Sequence, residues 1–158
     1  LIDRLAVLGH AIVPEASRPY IEAELAKGRT LEEIRADNAA YQRKIAEIRI
    51  QNEAAADTKR LTFIDRGLPD SIVYHKLNNL DAGWVVEACS RYRYAGVFFL
   101  ERLNLENDAV RWEDEQLAEK MARETIAAYA QLGYEIIHVP VLPVVERLEF
   151  ILAKIPNY

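Results

Sequence analysis

The five residues LTFID place a carboxylate, Asp65, directly behind an apolar run, with Arg66 and Gly67 next. Ionised oxygen at such a position is costly to desolvate unless it meets a cation, a metal or several hydrogen-bond donors. In phosphoryl transfer the partner is magnesium, held mostly through water beside nucleotide phosphates, and an adjacent arginine reaches phosphate or substrate. A structural alternative has Asp65 capping the following helix and pairing with Arg66. The tetrapeptide leaves both readings open, because apolar runs ending in aspartate are common in α/β proteins.

A second acid and arginine, Glu15 and Arg18, follow the apolar segment AIVPEA. There a carboxylate can accept a proton from a substrate hydroxyl and a guanidinium can hold an anion through two bonds. Their structural alternative is a local ion pair at a helix start. Convergence favours function, since two segment ends each offer one acid and one arginine. Arg111, in VRWEDE, has the chemistry of a lid arginine closing over transferring phosphates, or of an ordinary solvated side chain. Gln42, Arg43 and Arg49 fall on a charged helix and are expected to form a solvent-facing stripe. His10, His75 and His138 lack metal-ligand spacing and are read as structural. Trp84, Trp112 and the tyrosines are read as packing residues.

These side chains must be positioned by a chain of 158 residues that is 51% hydrophobic and 28% charged, enough for one closed core and hence a single domain spanning residues 1–158. Six glycines and six prolines are too few for disorder or collagen-like structure. The net charge of −5 offers no electrostatic reason to bind duplex nucleic acid or an anionic membrane. Lone Cys89 excludes an internal disulfide, and no paired Cys/His spacing suggests zinc. With no apolar run near the ~20 residues needed to cross a bilayer, a soluble, cytoplasmic protein is expected.

Periodicity predicts a helix from Leu1 to Leu8, stopped at Gly9, then a short strand in AIVPEA. Ser17 is expected to cap the next helix, with Pro19 early in it and Gly28 at its end. Thr30 and Glu33 form a capping box that opens a helix to about Ala56, expected to be the longest. A buried strand over Arg60 to Ile64 follows, then helices from Pro69 to Leu77 and from Asp81 to near Arg93. AGVFFL reads as a second continuous apolar strand, followed by Glu101 and Arg102. Asn104 to Asp114 is patternless and expected to be mobile. A helix from Glu115 to Leu132 closes at Gly133, YEIIHVP is the last strand, and Val144 to Ala153 the last helix.

Strands alternating with helices imply a doubly wound α/β domain, a mostly parallel sheet with helices on both faces. Ligands in such sheets sit beyond the carboxyl ends of the strands. The residues at that edge are Glu15, Ser17 and Arg18, then Asp65, Arg66 and Asp70, then Glu101 and Arg102.

Taken together, VPEASR, LTFIDRGLPDSIVYHKL, RYRYAGVFFLERL, VRWEDE and LGYEIIHVPVLPVVERLEFIL resemble a bacterial AAA-type family of predicted ATPases, a P-loop NTPase group similar to nucleoside and nucleotide kinases. The resemblance covers essentially the whole chain in order. It implies a kinase-like P-loop fold that binds ATP and magnesium. Asp65 matches the acid closing the Walker B strand and thereby the metal position, with Arg66 and Gly67 completing a DRG motif. Glu15 and Arg18 match a PEASR segment that faces the phosphoryl acceptor in related kinases. Arg111 matches a lid arginine, and Val141, Pro143 and Val144 lie where related kinases place adenine. Asp70 joins Arg18 as an expected substrate contact.

One departure stands out. The family opens with a strand and a GGPGSGKT-like phosphate loop, whereas these residues contain no G-x-x-x-x-G-K-[ST] and begin with what resembles the helix after it. The expectation is an N-terminally incomplete sequence whose sheet lacks its first, central strand and exposes apolar surface on the neighbours. The leading functional expectation is an ATP-dependent phosphotransferase or ATPase acting on a small metabolite such as a nucleoside or nucleotide. The rival is a non-catalytic nucleotide-sensing or protein-interaction module, with the Thr30 to Ala56 helix as its contact surface.

Overall fold

Local signals in the sequence set most element boundaries. The structure, a computed structural model, describes residues 1–101 and 112–155. Helix α1 (Ile2–Val7) ends before Gly9, whose φ of 89° is the left-handed geometry that favours glycine. Strand β1 (Ala11–Val13) leads to α2 (Ser17–Ala26), then α3 (Leu31–Arg35) and α4 (Asn38–Ala55). Strand β2 (Thr62–Ile64), α5 (Pro69–Leu77) and α6 (Gly83–Cys89) follow. The remaining elements are β3 (Val97–Leu100), α7 (Trp112–Gln131), β4 (Ile136–Val139) and α8 (Val144–Ala153).

The chain forms two compact units, one from Ile2 to Arg93 and one from Tyr94 onward. In the first, β1 and β2 pair in parallel, with Ala11 opposite Thr62 and Val13 opposite Ile64. In the second, β3 and β4 pair in parallel, from Val97 opposite Ile136 to Leu100 opposite Val139. Parallel neighbours cannot be joined by a tight turn, so helices span both connections. The expected single doubly wound sheet is thus replaced by two sheets of two strands among the described residues. A two-stranded ladder leaves one edge of each strand unpaired and less apolar surface covered. Accordingly β2 is only half-buried along its length, and β3 is half-buried with Leu100 exposed, where full burial was expected.

In the first unit the core lies mainly among helices. Helix α4 packs on α5 and α5 on α6, and Ile45, Ile72, Val73 and Val85 are buried between them. Burying a branched aliphatic side chain contributes about 1.5–3 kcal/mol, so these contacts outweigh the short ladder. His75 is buried with its Nδ1 2.7 Å from the Ser71 carbonyl and its ring edge-on to Trp84, the structural role expected of it. His10 packs edge-on against Phe63.

In the second unit α7 and α8 pack against β4, where Val139 is fully buried. Tyr94, Tyr129 and Tyr134 form an aromatic cluster with centroids 5.4 to 6.3 Å apart. Past the ladder, Glu101 N–H donates to the Val139 carbonyl, and Arg147 donates to the Glu101 carbonyl at 3.0 Å.

Three expectations about helices need correction. The capping box of Thr30 and Glu33 forms, but it opens only α3; Asp37 then accepts from Ala40 N–H and starts α4 afresh. The single helix to Ala56 is therefore two, and α7, at 20 residues, exceeds the 18 of α4. Helix α6 stops at Cys89 and not near Arg93. Arg49 is not on a solvent-facing stripe: it is 3% exposed, and with Ile45, Ala46 and Glu53 it makes the buried face of α4. That face is committed to the core, so the helix offers a partner only its other side. Residues Asn104 to Arg111 lie outside the described residues; α7 already begins at Trp112.

Cys89 is buried, and that burial, with the charge of Glu53 adding to it, pushes its thiol up to about 12. At pH 8, four units lower, a thiolate fraction of about 10⁻⁴ is expected. Native protein should therefore leave Ellman's reagent unconsumed over minutes and react fully in urea. Rapid stoichiometric labelling of the native chain would contradict this burial.

Candidate functional site

The parallel register carries the chain past Val13 and Ile64 at the same end of the β1–β2 ladder, and Asp65 N–H extends it by donating to the Val13 carbonyl at 2.9 Å. The segments that carry Glu15 and Asp65 consequently leave the ladder at the same end. The Asp65 carboxylate is half-buried and accepts no hydrogen bond among the described residues. It does not cap α5, whose first residues follow Leu68 without a side-chain cap.

Arg66 turns the chain back. Its φ of 63° is left-handed, a conformation that costs a residue with a Cβ about 1–2 kcal/mol. Such strain persists only where surroundings impose it. Here the next turn is pinned from beneath, because Leu68 N–H donates to the buried Glu53 carboxylate at 2.7 Å. The exposed Arg66 guanidinium donates through Nη1 to the Tyr74 hydroxyl at 3.0 Å. Partial burial alone would lower its basicity, but Tyr74, Asp70, Glu15 and Asp65 together hold it above the usual arginine value. Arg66 thus gathers three of the expected acids around one cation.

Glu15 has a structural task. Ser17 donates both its N–H (2.9 Å) and its hydroxyl (2.7 Å) to Oε1, and Arg18 N–H donates to Oε2 at 2.9 Å. The expected cap, Ser17, is therefore a donor at the helix start, and Glu15 supplies the acceptor: a carboxylate satisfies orphan amides and the positive helix end together. Burial pushes the Glu15 carboxyl up, but the bonds from Ser17 and Arg18 and the charge of Arg66 bring it below the ordinary value of 4.5. The Arg18 side chain is exposed and makes no hydrogen bond or ion pair among the described residues.

Behind this edge lie residues that the sequence reading missed. Arg49 donates through Nη1 to Ser71 Oγ at 2.7 Å, places Nη2 3.8 Å from Glu15 Oε1, and lies 5.8 Å from the Tyr74 ring centre. Its Nε is buried without a hydrogen-bond partner among the described residues. The signal was present: Ile45, Arg49 and Glu53 recur every four residues, the spacing of one helix face, and Ile45 marks that face as buried.

The other expected positions belong to the second unit. Val141 and Val144 are 51% and 47% exposed, and Pro143 precedes α8 as its N-terminal cap residue. Glu101 places Oε1 2.7 Å from His138 Nδ1. Arg102 and Arg111 lie outside the described residues. Among those described, no three His, Cys, Asp or Glu side chains cluster to hold a metal, and no helix is long and apolar enough to cross a membrane.

Acids and arginines at the ends of parallel strands, set between helices, suit a nucleotide-binding fold of the P-loop NTPase type. Over residues 1–147 the chain matches the family described as AAA domain, and it belongs to that family. Membership supports a nucleotide-binding, ATPase- or kinase-like function in general. No curated protein and no solved structure matches it.

Two outcomes follow from this geometry. If Arg66 is left-handed, Arg66→Gly should be about 1 kcal/mol more stable than Arg66→Ala, because only glycine avoids the steric cost; urea denaturation reads the difference, and equal stabilities would rule the conformation out. Because the Glu15 carboxyl lies below its unfolded value, its contribution is complete above about pH 4.5 and disappears as pH falls through the folded value. Glu15→Ala should cost about 1 kcal/mol at pH 7, and that cost should shrink progressively as pH falls below about 4.5. A pH-independent deficit would mean that the charge is irrelevant.

Proposed function

We propose that this protein is a cytoplasmic, ATP-dependent phosphotransferase or ATPase acting on a small metabolite such as a nucleoside or nucleotide, its 158 residues working as one domain. The observation that carries the reading is Asp65: a half-buried carboxylate at a strand end, without a side-chain hydrogen bond among the described residues, beside a strained arginine. A helix cap or a plain ion pair would leave its oxygens engaged.

Asp65 suits magnesium, which binds through one or two carboxylates together with water and substrate phosphates and needs no larger protein cluster. When bound, the ion would offset charge on the phosphates. Arg66 and Arg18 extend guanidinium donors towards anionic oxygens at the same edge, a role for which Arg111 is also proposed. Asp70, in the first turn of α5, lies among the charges around Arg66 and is proposed to contact the acceptor. Glu15 is held by three hydrogen bonds and has reduced basicity, so we assign it the orientation of an acceptor hydroxyl in preference to proton abstraction. Exposed Val141 and Val144, with Pro143 between them, offer an apolar rest for adenine.

The test is Asp65→Ala in the protein as encoded by its gene. ATP consumption with magnesium should fall at least about a hundredfold while circular dichroism stays unchanged. Undiminished consumption by a folded variant would refute the assignment.

A further inference from the structure

The guanidinium of Arg49 is a charged group buried in the first unit. It is 3% exposed, its Nε has no partner among the described residues, and its remaining nitrogens face groups from two elements: Ser71 on α5 and Glu15 beyond β1. Arginine in such a place costs more desolvation than an apolar residue of equal volume. What it adds is geometry. Its Cζ lies 5.8 Å from the centre of the Tyr74 ring, and the hydroxyl of that ring accepts from Arg66. Tyr74 is thus held at its face by one arginine and holds another at its tip.

We propose that Arg49 is a positioning residue: through Ser71 and the ring of Tyr74 it fixes where the Arg66 guanidinium sits, and through Glu15 it ties the end of β1 to the same arrangement. Arg49 touches neither nucleotide nor acceptor in this scheme. The proposal deepens the phosphotransferase reading and rests on it for its catalytic consequence, but the placement of Arg66 is measurable without turnover.

Phenylglyoxal attacks neutral guanidine, so an arginine that loses the Tyr74 hydroxyl and its surrounding acids, which hold its basicity up, reacts faster. Labelling of the protein as encoded, mapped by mass spectrometry, should be about threefold faster at Arg66 in Tyr74→Phe and in Arg49→Met, with exposed Arg123 on α7 as an unchanged internal reference. The double variant should be no faster at Arg66 than Tyr74→Phe alone, because both changes release the same bond. Should Arg49→Met fail to fold, Arg49→Lys replaces it: a single ammonium lacks the fork that reaches Ser71 and Glu15 from separate nitrogens, so faster labelling is again expected. Unchanged labelling of Arg66 in a folded Arg49 variant, or additive acceleration in the double variant, overturns the proposal.

With ATP and magnesium as the probe, kcat should fall about ten- to a hundredfold in Arg49→Met while KM for ATP stays within about twofold. A larger KM with unchanged kcat would overturn the positioning role. If the wild-type protein consumes no ATP, the phosphotransferase reading fails, and the Arg66 labelling still decides for or against the placement by Arg49.

Discussion

Ions can be buried on a helix only where other elements present matching partners, and α4 imposes that constraint on the first unit. Arg49 and Glu53 are both buried, one turn apart. Glu53 takes the Leu68 amide, which fixes the turn after Asp65 and Arg66; Arg49 takes Ser71 and approaches Glu15, which joins the start of α5 to the end of β1. Removing one member of such a set leaves another charge without compensation, usually a larger loss than the pair itself was worth. The edge where Asp65 emerges is therefore placed by α4 as much as by the short β1–β2 ladder.

The same arrangement explains why a strained residue is tolerated. Arg66 adopts a left-handed backbone in a turn closed on one side by the strand and on the other by the Glu53 to Leu68 bond. Side-chain bonding to Tyr74 and the nearby acids adds to this closure. The cost is local, and what it yields is direction: the guanidinium meets the Tyr74 hydroxyl and feels the charges of Asp70, Glu15 and Asp65.

Much of the element order was legible in the sequence because its punctuation was strong. Pro69 to Leu77 and Val144 to Ala153 are helices with those limits, and Gly9, Gly28 and Gly133 all have positive φ beyond helix ends. The break at Asp37 was not anticipated, since Ala, Glu, Arg and Lys on both sides suit a helix and hide a capping aspartate between them. Arg49 was misread for a related reason. Charge suggests solvent, and only the four-residue recurrence with Ile45 and Glu53 opposes that suggestion. At the site, the identities of Glu15, Asp65, Arg66 and Asp70 as neighbours followed from strand order, whereas the capping task of Glu15 depends on a backbone turn that residue types alone do not specify. The sheet was legible as parallel but not as two separate ladders, because pairing partners are set by distant segments.

The charges named at the edge of the first unit also carry a consequence of simple counting. Glu15, Asp65 and Asp70 are opposed by Arg18 and Arg66, while Arg49 and Glu53 offset one another behind them, so these seven sum to −1. A guest as anionic as a triphosphate finds directional donors in that array but no surplus positivity to neutralise it. Electroneutrality would then have to be completed by countercations travelling with the guest, and the strength of its capture would depend on their availability.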